Sequence, residues 1–369
     1  MGAPLRLRRW AKRLGLAFAV IAGVLTAPIV WIEAGCRSAR DAAPGAPPAL
    51  VSDEPGYARR ESDSYLSYPE WHIVYAYEDL AGVLREGDES DFAYGSQIAG
   101  FWRSFCALNR VVTARGGTGL DTKVMLYTIG WSFTAELGIK GAYEKTAGRL
   151  FEWLRGPGKT GEDAFAARDL AGYAAFLHQT PWYEYPFGAR VAAFWREAGW
   201  GGGRWLRKLE RRAVFTAEYG VKAVYGWLIG RASQTALGAA DLEIKTVVTG
   251  LAAEDVARDS RIRVVRSLGG GRTLILTPRY QAYTDLVVDL ARRGRNVDEI
   301  AGNRRIFATV LAFGARPPAV AGMEVLFALP VQSRPGWQRV GLDGAVAGLA
   351  AAIRSLEASG AVVEHVYDY

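Results

Sequence analysis

Phe133-Thr-Ala-Glu136-Leu-Gly138-Ile-Lys140-Gly-Ala-Tyr143, running on to Gly148-Arg149, is written a second time in this chain. It returns as Phe215-Thr-Ala-Glu218-Tyr-Gly220-Val-Lys222-Ala-Val-Tyr225, running on to Gly230-Arg231. Nine residues recur at the same spacing with no gap. Two further phrases lie upstream of each copy and in the same order. Gly95-x-x-Ile98-Ala-Gly-Phe101-Trp-Arg103 matches Gly188-x-x-Val191-Ala-Ala-Phe194-Trp-Arg196, and Asp79-Leu-Ala-Gly82 matches Asp169-Leu-Ala-Gly172. Such self-similarity at a fixed order reads as an internally duplicated helical unit.

On a helix of 3.6 residues per turn, Phe133, Glu136, Lys140 and Tyr143 share one face, as do Phe215, Glu218, Lys222 and Tyr225. Thr134, Gly138, Gly141 and Gly148 fall on a neighbouring face, matched by Thr216, Gly220, Ala223 and Gly230. Small residues let helices approach closely. The two long helices are therefore expected to pack together through these flanks about a pseudo-two-fold axis. The Glu–Lys pair has two readings. On a helix surface it is worth about 0.2–0.5 kcal/mol. Buried under Phe and Tyr, each charge needs its partner, since breaking such a pair costs about 3–5 kcal/mol. Its presence in both copies favours a structural network. Glu136, Lys140, Tyr143, Glu218, Lys222 and Tyr225 thus form the candidate pocket or buried network. A Lys beside Glu and Tyr is suited to proton transfer, but no nucleophile or metal ligand accompanies it, so no catalytic residue is assigned.

Working outward, 369 residues suffice for two domains with real cores, and a chain 50% hydrophobic and 22% charged is globular. The first 13 residues are a basic tail (Arg6, Arg8, Arg9, Lys12, Arg13) expected to be cytoplasmic. An uncharged run from Leu14 to Ile32 follows. At 1.5 Å per residue it spans roughly 28 Å, enough to cross a bilayer, with Trp31 at the interface. Residues 14–33 are read as an uncleaved single-pass anchor. Glu33 spoils both the small-x-small pattern of a cleaved signal and the leucine of a lipoprotein signal. Everything after Glu33 is then expected outside the cell membrane, and in the periplasm of a Gram-negative cell. Much of the net charge of +7 sits in the tail, which argues against nucleic acid as a partner. Cys36 and Cys106 form no disulfide framework and no metal spacing; free thiols are expected, with one bridge between them as the alternative.

Residues 34–66, containing Pro44 and Pro47-Pro48, read as a flexible tether. A helical domain spans 67–240, with repeats at about 78–149 and 168–231. Ser67-x-x-Glu70 has the form of a capping box. Helices are expected at about Trp71–Arg85, Asp91–Leu108, Thr122–Leu154, Glu162–Leu177, Phe187–Ala198 and Arg204–Thr235. Glu, Lys and Arg through the middle of each long helix argue against a second membrane span. From 241 to 369 the pattern turns to β-branched runs: Ile244–Val248, Ile262–Arg266, Thr273–Thr277 and Ile306–Leu311. Helices at Ala252–Ala257 and Gln281–Arg293 lie between them. This order predicts a ferredoxin-like α+β sandwich. A β-α-β extension (Glu324–Val331, Asp343–Ala358, Val362–Tyr367) is expected to prolong the same sheet, with Ser333–Gly341 as an irregular loop.

Other motifs carry little. His72, His178 and His365 are isolated, so no metal site is assigned. Gly156-Pro-Gly158-Lys159-Thr160 lacks the earlier glycine and preceding strand of a phosphate loop. Arg204, Arg207, Lys208, Arg211 and Arg212 make a basic stripe, read as a solvated face or as a contact for anionic headgroups. Trp71–Tyr77 and Trp182–Tyr185 are aromatic clusters expected to pack in the core. No cofactor is implied. The expected function is that of a membrane-anchored, extracytoplasmic binding or assembly protein of non-enzymatic type, engaging an envelope protein or a lipid. The alternative is an enzyme or small-ligand receptor with its site in the groove between the repeats.

Overall fold

The computed structural model describes residues 23, 26–38, 50, 61–233 and 243–368. The basic tail, most of the Leu14–Ile32 run, most of the expected tether and the junction at 234–242 lie outside the described residues. Among those described, no helix is long and apolar enough to cross a membrane. The fold is helical up to Ser233 and then α+β, with two antiparallel sheets.

Among the described residues from 61 on, eight α-helices build the first part: α1 (Glu61–Leu66), α2 (Tyr68–Glu86), α3 (Tyr94–Ala114), α4 (Leu120–Tyr143), α5 (Arg149–Arg155), α6 (Gly161–Leu177), α7 (Phe187–Glu197) and α8 (Trp205–Ser233). A five-residue π-turn, Glu144–Gly148, joins α4 to α5. The start of α6 is fixed by a capping box that the sequence reading passed over. Thr160 Oγ1 accepts the Asp163 amide at 3.1 Å, while the Asp163 carboxylate accepts the Thr160 amide at 2.9 Å. The box expected at Ser67 does not form. Because α1 runs straight into α2, Ser67 has helical torsions instead of the extended ones an N-cap requires, and its hydroxyl donates to the Ser64 carbonyl at 2.8 Å.

Contacts within the two halves match. Trp102 Nε1 donates to Thr134 Oγ1 at 3.0 Å, and Trp195 Nε1 to Thr216 Oγ1 at 3.0 Å. Phe101 packs on Phe133 (centroids 5.6 Å apart) as Phe194 packs on Phe215 (4.4 Å). Asp79 accepts from Gln97 on the following helix, and Asp169 accepts from Arg190 at the corresponding position. The first helices of the halves, α2 and α6, pack on each other.

The glycines do not behave as expected. Gly138 and Gly220 face open space, Gly141 backs onto Tyr94, and Gly230 lies nearest the Tyr183 ring. A Cβ at Gly141 would stand 2.7 Å from the Tyr94 Cβ, so that glycine lets α4 close onto the start of α3. The long helices therefore do not meet along small-residue flanks. They meet at α5 against α8 and through long charged side chains.

After residue 242 come β1 (Glu243–Thr249), α9 (Ala253–Arg258), β2 (Arg263–Gly269), β3 (Arg272–Pro278), α10 (Gln281–Arg292) and β4 (Asn296–Ile300). These strands form one sheet in the order β2-β3-β1-β4. The chain continues as β5 (Arg305–Phe313), β6 (Met323–Pro330), β7 (Trp337–Ala345), α11 (Leu349–Ala358) and β8 (Val362–Val366), with its strands in a second sheet ordered β6-β7-β5-β8. Two expectations are corrected here. The Ile306–Leu311 run opens the second sheet instead of closing the first, and the extension builds a sheet of its own. The supposed Ser333–Gly341 loop is largely β7, which continues through Asp343, where a helix was expected.

Helices α10 and α11 pack together, and one core joins their apolar faces to both sheets: Tyr283, Val287 and Ile353 with Ile244, Ile306 and Val366. Side chains alternate along a strand, so β5 can serve two cores at once. Ile306 and Ala308 face α10 and α11, whereas Phe307 joins the helical part. There Tyr68 packs against Phe327 (4.8 Å), Phe307 (5.6 Å) and Tyr367 (5.9 Å). The hydrophobic core thus runs across the boundary at residue 241.

Candidate functional site

The duplicated phrase places its charges between α4 and α8, which run in opposite directions. Each copy's Lys reaches the other copy's Glu: Lys222 Nζ lies 2.7 Å from Glu136, and Lys140 Nζ lies 3.0 Å from Glu218. Lys222 also bonds Glu218 on its own helix at 3.1 Å and the Tyr77 hydroxyl at 3.2 Å. The rings of Tyr77 and Tyr173 flank its ammonium at 4.9 and 5.3 Å, from α2 and α6 below. Tyr143 donates to Glu210 at 2.7 Å. Tyr225 stands apart from this set, half exposed and stacked on Trp182 at 5.3 Å. Five of the six candidates therefore lie in one charged seam.

Burial and charge oppose each other at Lys140, Glu218 and Lys222. Desolvation pushes Glu218 up, but Lys140 and Lys222 overcome it and hold the carboxyl at about 2. Desolvation pulls both lysines down, yet their carboxylate neighbours keep each above the usual lysine range. Glu218 therefore stays ionised and both lysines stay protonated across the physiological range, as a structural ion-pair seam requires.

The seam continues into residues that sequence reasoning missed. Arg211 bonds Glu144 at 3.0 Å and Glu210, and pairs with Glu89 at 3.1 Å. Burial and the neighbouring Glu89 carboxylate push Glu144 above the usual carboxylate range, while Lys140 and Arg211 hold Glu89 below it against its own burial. Arg207 bonds Asp163 at 2.8 Å and Glu210 at 3.0 Å. Glu144 follows Glu136 and Lys140 at a spacing of four, and that periodicity was the signal available for it. Glu89 carried none, because its setting, Glu86-Gly-Asp-Glu-Ser-Asp91, reads as a solvated acidic loop.

The basic stripe is corrected by burial. Arg207, Lys208, Arg211 and Arg212 are all at most 5% exposed, facing acids and carbonyls of the interior. Arg212 bonds Glu162 and the Ala198 carbonyl, and Lys208 donates to the Gly199 carbonyl at 2.7 Å. Arg204 alone is exposed, and it donates to the carbonyls of Gly158 (3.2 Å) and Pro157. Side chains turned inward cannot reach a headgroup, nor do they make a solvated face.

The N-terminal segment is clamped to the fold. Cys36 and Cys106 form a disulfide, so the expectation of free thiols is corrected. Glu33 takes Lys123 at 2.7 Å and Tyr127 at 2.6 Å, and Asn109 Nδ2 donates to the Cys36 carbonyl at 2.8 Å. Leu50 donates its amide to Glu299 at 2.7 Å and packs beside Val247 and Leu274. The stretch read as a free tether is thus held at Cys36 and again at Leu50.

The histidines are accounted for singly. His72 is buried with Nε2 3.0 Å from the Gln97 carbonyl oxygen, His365 stacks on Trp71 at 4.0 Å, and His178 lies 2.6 Å from Glu78. Burial lowers His72 and His365 to about 3, leaving both neutral. Trp71, Tyr75 and Tyr77 pack inside, and Tyr75 also carries the Arg339 guanidinium 3.9 Å above its ring. Among the described residues no group of three or more His, Cys, Asp or Glu is placed to hold a metal ion. A small cleft opens beside the seam, lined by Glu89, Lys159, Asp163, Arg207 and Arg211 among others. Its interior volume is about 10 Å³, far below the roughly 300–1,000 Å³ of small-molecule sites.

No family model, no curated protein and no solved structure matches this chain.

Proposed function

We propose that this chain is a membrane-anchored, extracytoplasmic binding or assembly protein of non-enzymatic type, which engages an envelope protein or a lipid. The observation that carries the reading is the reciprocal pairing of the duplicated charges: Glu136 with Lys222, and Lys140 with Glu218. These groups satisfy one another, and the neighbouring cleft is small for a substrate. The disulfide supports the compartment, since such bonds persist where thiols are oxidised. The apolar run Leu14–Ile32 with its preceding arginines supports the anchor.

The finer fold belongs to the same reading. The matched contacts of the halves support a duplicated helical unit with a pseudo-two-fold relation. The β-α-β-β-α-β order of residues 243–300 supports a ferredoxin-like unit. The second sheet has the same strand order, with residues 314–322 standing where the first helix would be, which supports a second, reduced unit of that kind.

Two measurements test the proposal. A topology reporter fused after Tyr369 is expected to be active only outside the cytoplasm; a cytoplasmic signal overturns the location. Purification of the intact chain from detergent-solubilised membranes is expected to bring down an envelope protein or bound lipid in stoichiometric amount. Turnover of a small substrate by the purified chain, lost with Glu218→Gln, would establish the enzyme reading instead.

A further inference from the structure

A water-soluble helix normally hides its apolar side and shows its charges. The two long helices here do the reverse. From Trp205 to Leu228 every exposed residue of α8 is uncharged, while Arg207, Lys208, Glu210, Arg211, Arg212 and Lys222 are buried. Its outward side carries Trp205, Leu209, Val221, Val224, Trp227 and Leu228, each between 45% and 70% exposed. In α4 every exposed residue from Val124 to Ala142 is uncharged, and Glu136 and Lys140 turn to the seam. The same helix line passes through Lys145 and Arg149, both exposed, and ends in α5 with Leu150, Trp153 and Leu154 exposed. Helices elsewhere obey the ordinary rule: α3 exposes Arg103 and Arg110, and α7 exposes Arg196 and Glu197.

The chain also indicates what covers this side. The uncharged run 14–32 reaches the described residues with Val30 and Trp31 exposed. It is then fastened by Glu33 to Lys123 and Tyr127 in the first turns of α4, and by Cys36 to Cys106. Whatever medium holds that run therefore begins beside Val124 and Met125, at one end of the uncharged face. Tryptophans at the ends of the long helices, Trp153, Trp205 and Trp227, fit the headgroup level, where amphipathic rings collect. We propose that the outward side of α4, α5 and α8 lies in the acyl-chain boundary of the bilayer that holds the N-terminal run. The helical part is then a monotopic membrane body whose mid-helix charges on α4 and α8 turn inward, in the manner of interfacial helices that bury an apolar face. The Glu–Lys seam makes this feasible, because every charge of the middle of α4 and α8 is met within the protein before lipid is reached. The inference rests on the anchored reading above and specifies its lipid contact.

The test uses the full-length chain reconstituted in liposomes of phosphatidylcholine and phosphatidylglycerol. A ketone-bearing amino acid is placed at Ile139, at Val221 or, as a control, at Glu254 on α9, and coupled to a nitroxide. Using that chemistry leaves the disulfide untouched. Expected is preferential collision with oxygen over a water-soluble nickel chelate at 139 and 221, and the opposite preference at 254. Nickel accessibility at 139 and 221 in protein that co-floats with the liposomes overturns the lipid-facing assignment and leaves the anchor standing. Shielding from both reagents also overturns it, since a second protein surface then covers the face. Protein that stays soluble and is washed from the liposomes by carbonate overturns the anchored reading itself.

Discussion

Replacing Lys222 by Met removes one ammonium from the seam while keeping most of the stem that fills the space. Its Nζ holds Glu136 at 2.7 Å, Glu218 at 3.1 Å and the Tyr77 hydroxyl at 3.2 Å. Removing one side of a fully buried pair costs about 3–5 kcal/mol. The loss here is smaller for two reasons. Glu136 has 36% of its side chain exposed and recovers some water, and Glu218 retains Lys140 at 3.0 Å. A loss of about 2–3 kcal/mol is expected, including the contact with the Tyr77 and Tyr173 rings. At about 2–4 °C per kcal/mol for chains of this size class, the melting temperature falls by roughly 4–12 °C. The measurement is denaturant unfolding and calorimetry of Lys222→Met, Glu136→Gln and the double variant. Because both partners leave together in the double variant, its loss is expected to be about 1–2 kcal/mol less than the sum of the singles. A Lys222→Met protein within 0.5 kcal/mol of the parent by the same unfolding assay, or additive losses, would refute the idea that the two copies are locked by crossed charges.

Further outcomes follow from the rest of the molecule. His72 and His365, held near 3, stay neutral in the fold while the unfolded chain takes up protons below about 6.5. Stability is then whole above that pH and drains at about 1.4 kcal/mol per unit per histidine as pH falls toward 3, so melting curves from pH 8 to 4 should steepen below 6.5 and flatten in His365→Phe. Cys36→Ser opens a bridge between residues 70 apart in sequence, and a loss of about 4 kcal/mol is expected in thermal unfolding; a shift below about 1 kcal/mol would show that the clamp does not tie down the N-terminal segment. Gly341→Ala sets a Cβ 2.6 Å from the Phe327 ring and 3.0 Å from Phe307, for an overpacking cost of about 1–3 kcal/mol in urea unfolding. Arg207→Gln should destabilise by about 3 kcal/mol and leave sedimentation with anionic liposomes unchanged, as its burial demands.

The helical part was largely legible because its repeat is written in chemistry as well as in pattern. The Phe-x-x-Glu-x-x-x-Lys spacing fixed which residues share a face, and that face does hold the charged seam. What lies opposite each charge could not be read, since the partner of Glu136 is 86 positions away by number, on α8. The glycine face misled, because a small residue signals a close neighbour without naming it; at Gly141 the neighbour is Tyr94. The basic stripe misled for a related reason. Five cations at helical spacing resemble a wet surface, and only the acids brought in by the turn after α2, by α6 and by the π-turn make burial tolerable. β7 escaped notice because Gly341 and Gly344 interrupt its apolar pattern; Gly341 clears room for Phe307 and Phe327, and Gly344 for Met323. The disulfide stood only as the alternative to free thiols for want of any local sign, as Cys36 and Cys106 meet only when α3 comes back to the end of the N-terminal run.

The crossed pairs carry a consequence for ancestry. On the duplicated-unit reading proposed above, a lone ancestral unit would have owned one acid and one base at the right separation, with its own helix offering them only to each other. Two identical copies related by a two-fold axis would have closed both links at once, each giving what the other lacked, as self-complementary dimers do. Fusion of the genes would have preserved that handshake inside one polypeptide. A change of sign at either end would then require a compensating change in the opposite copy, which binds the drift of the two halves together.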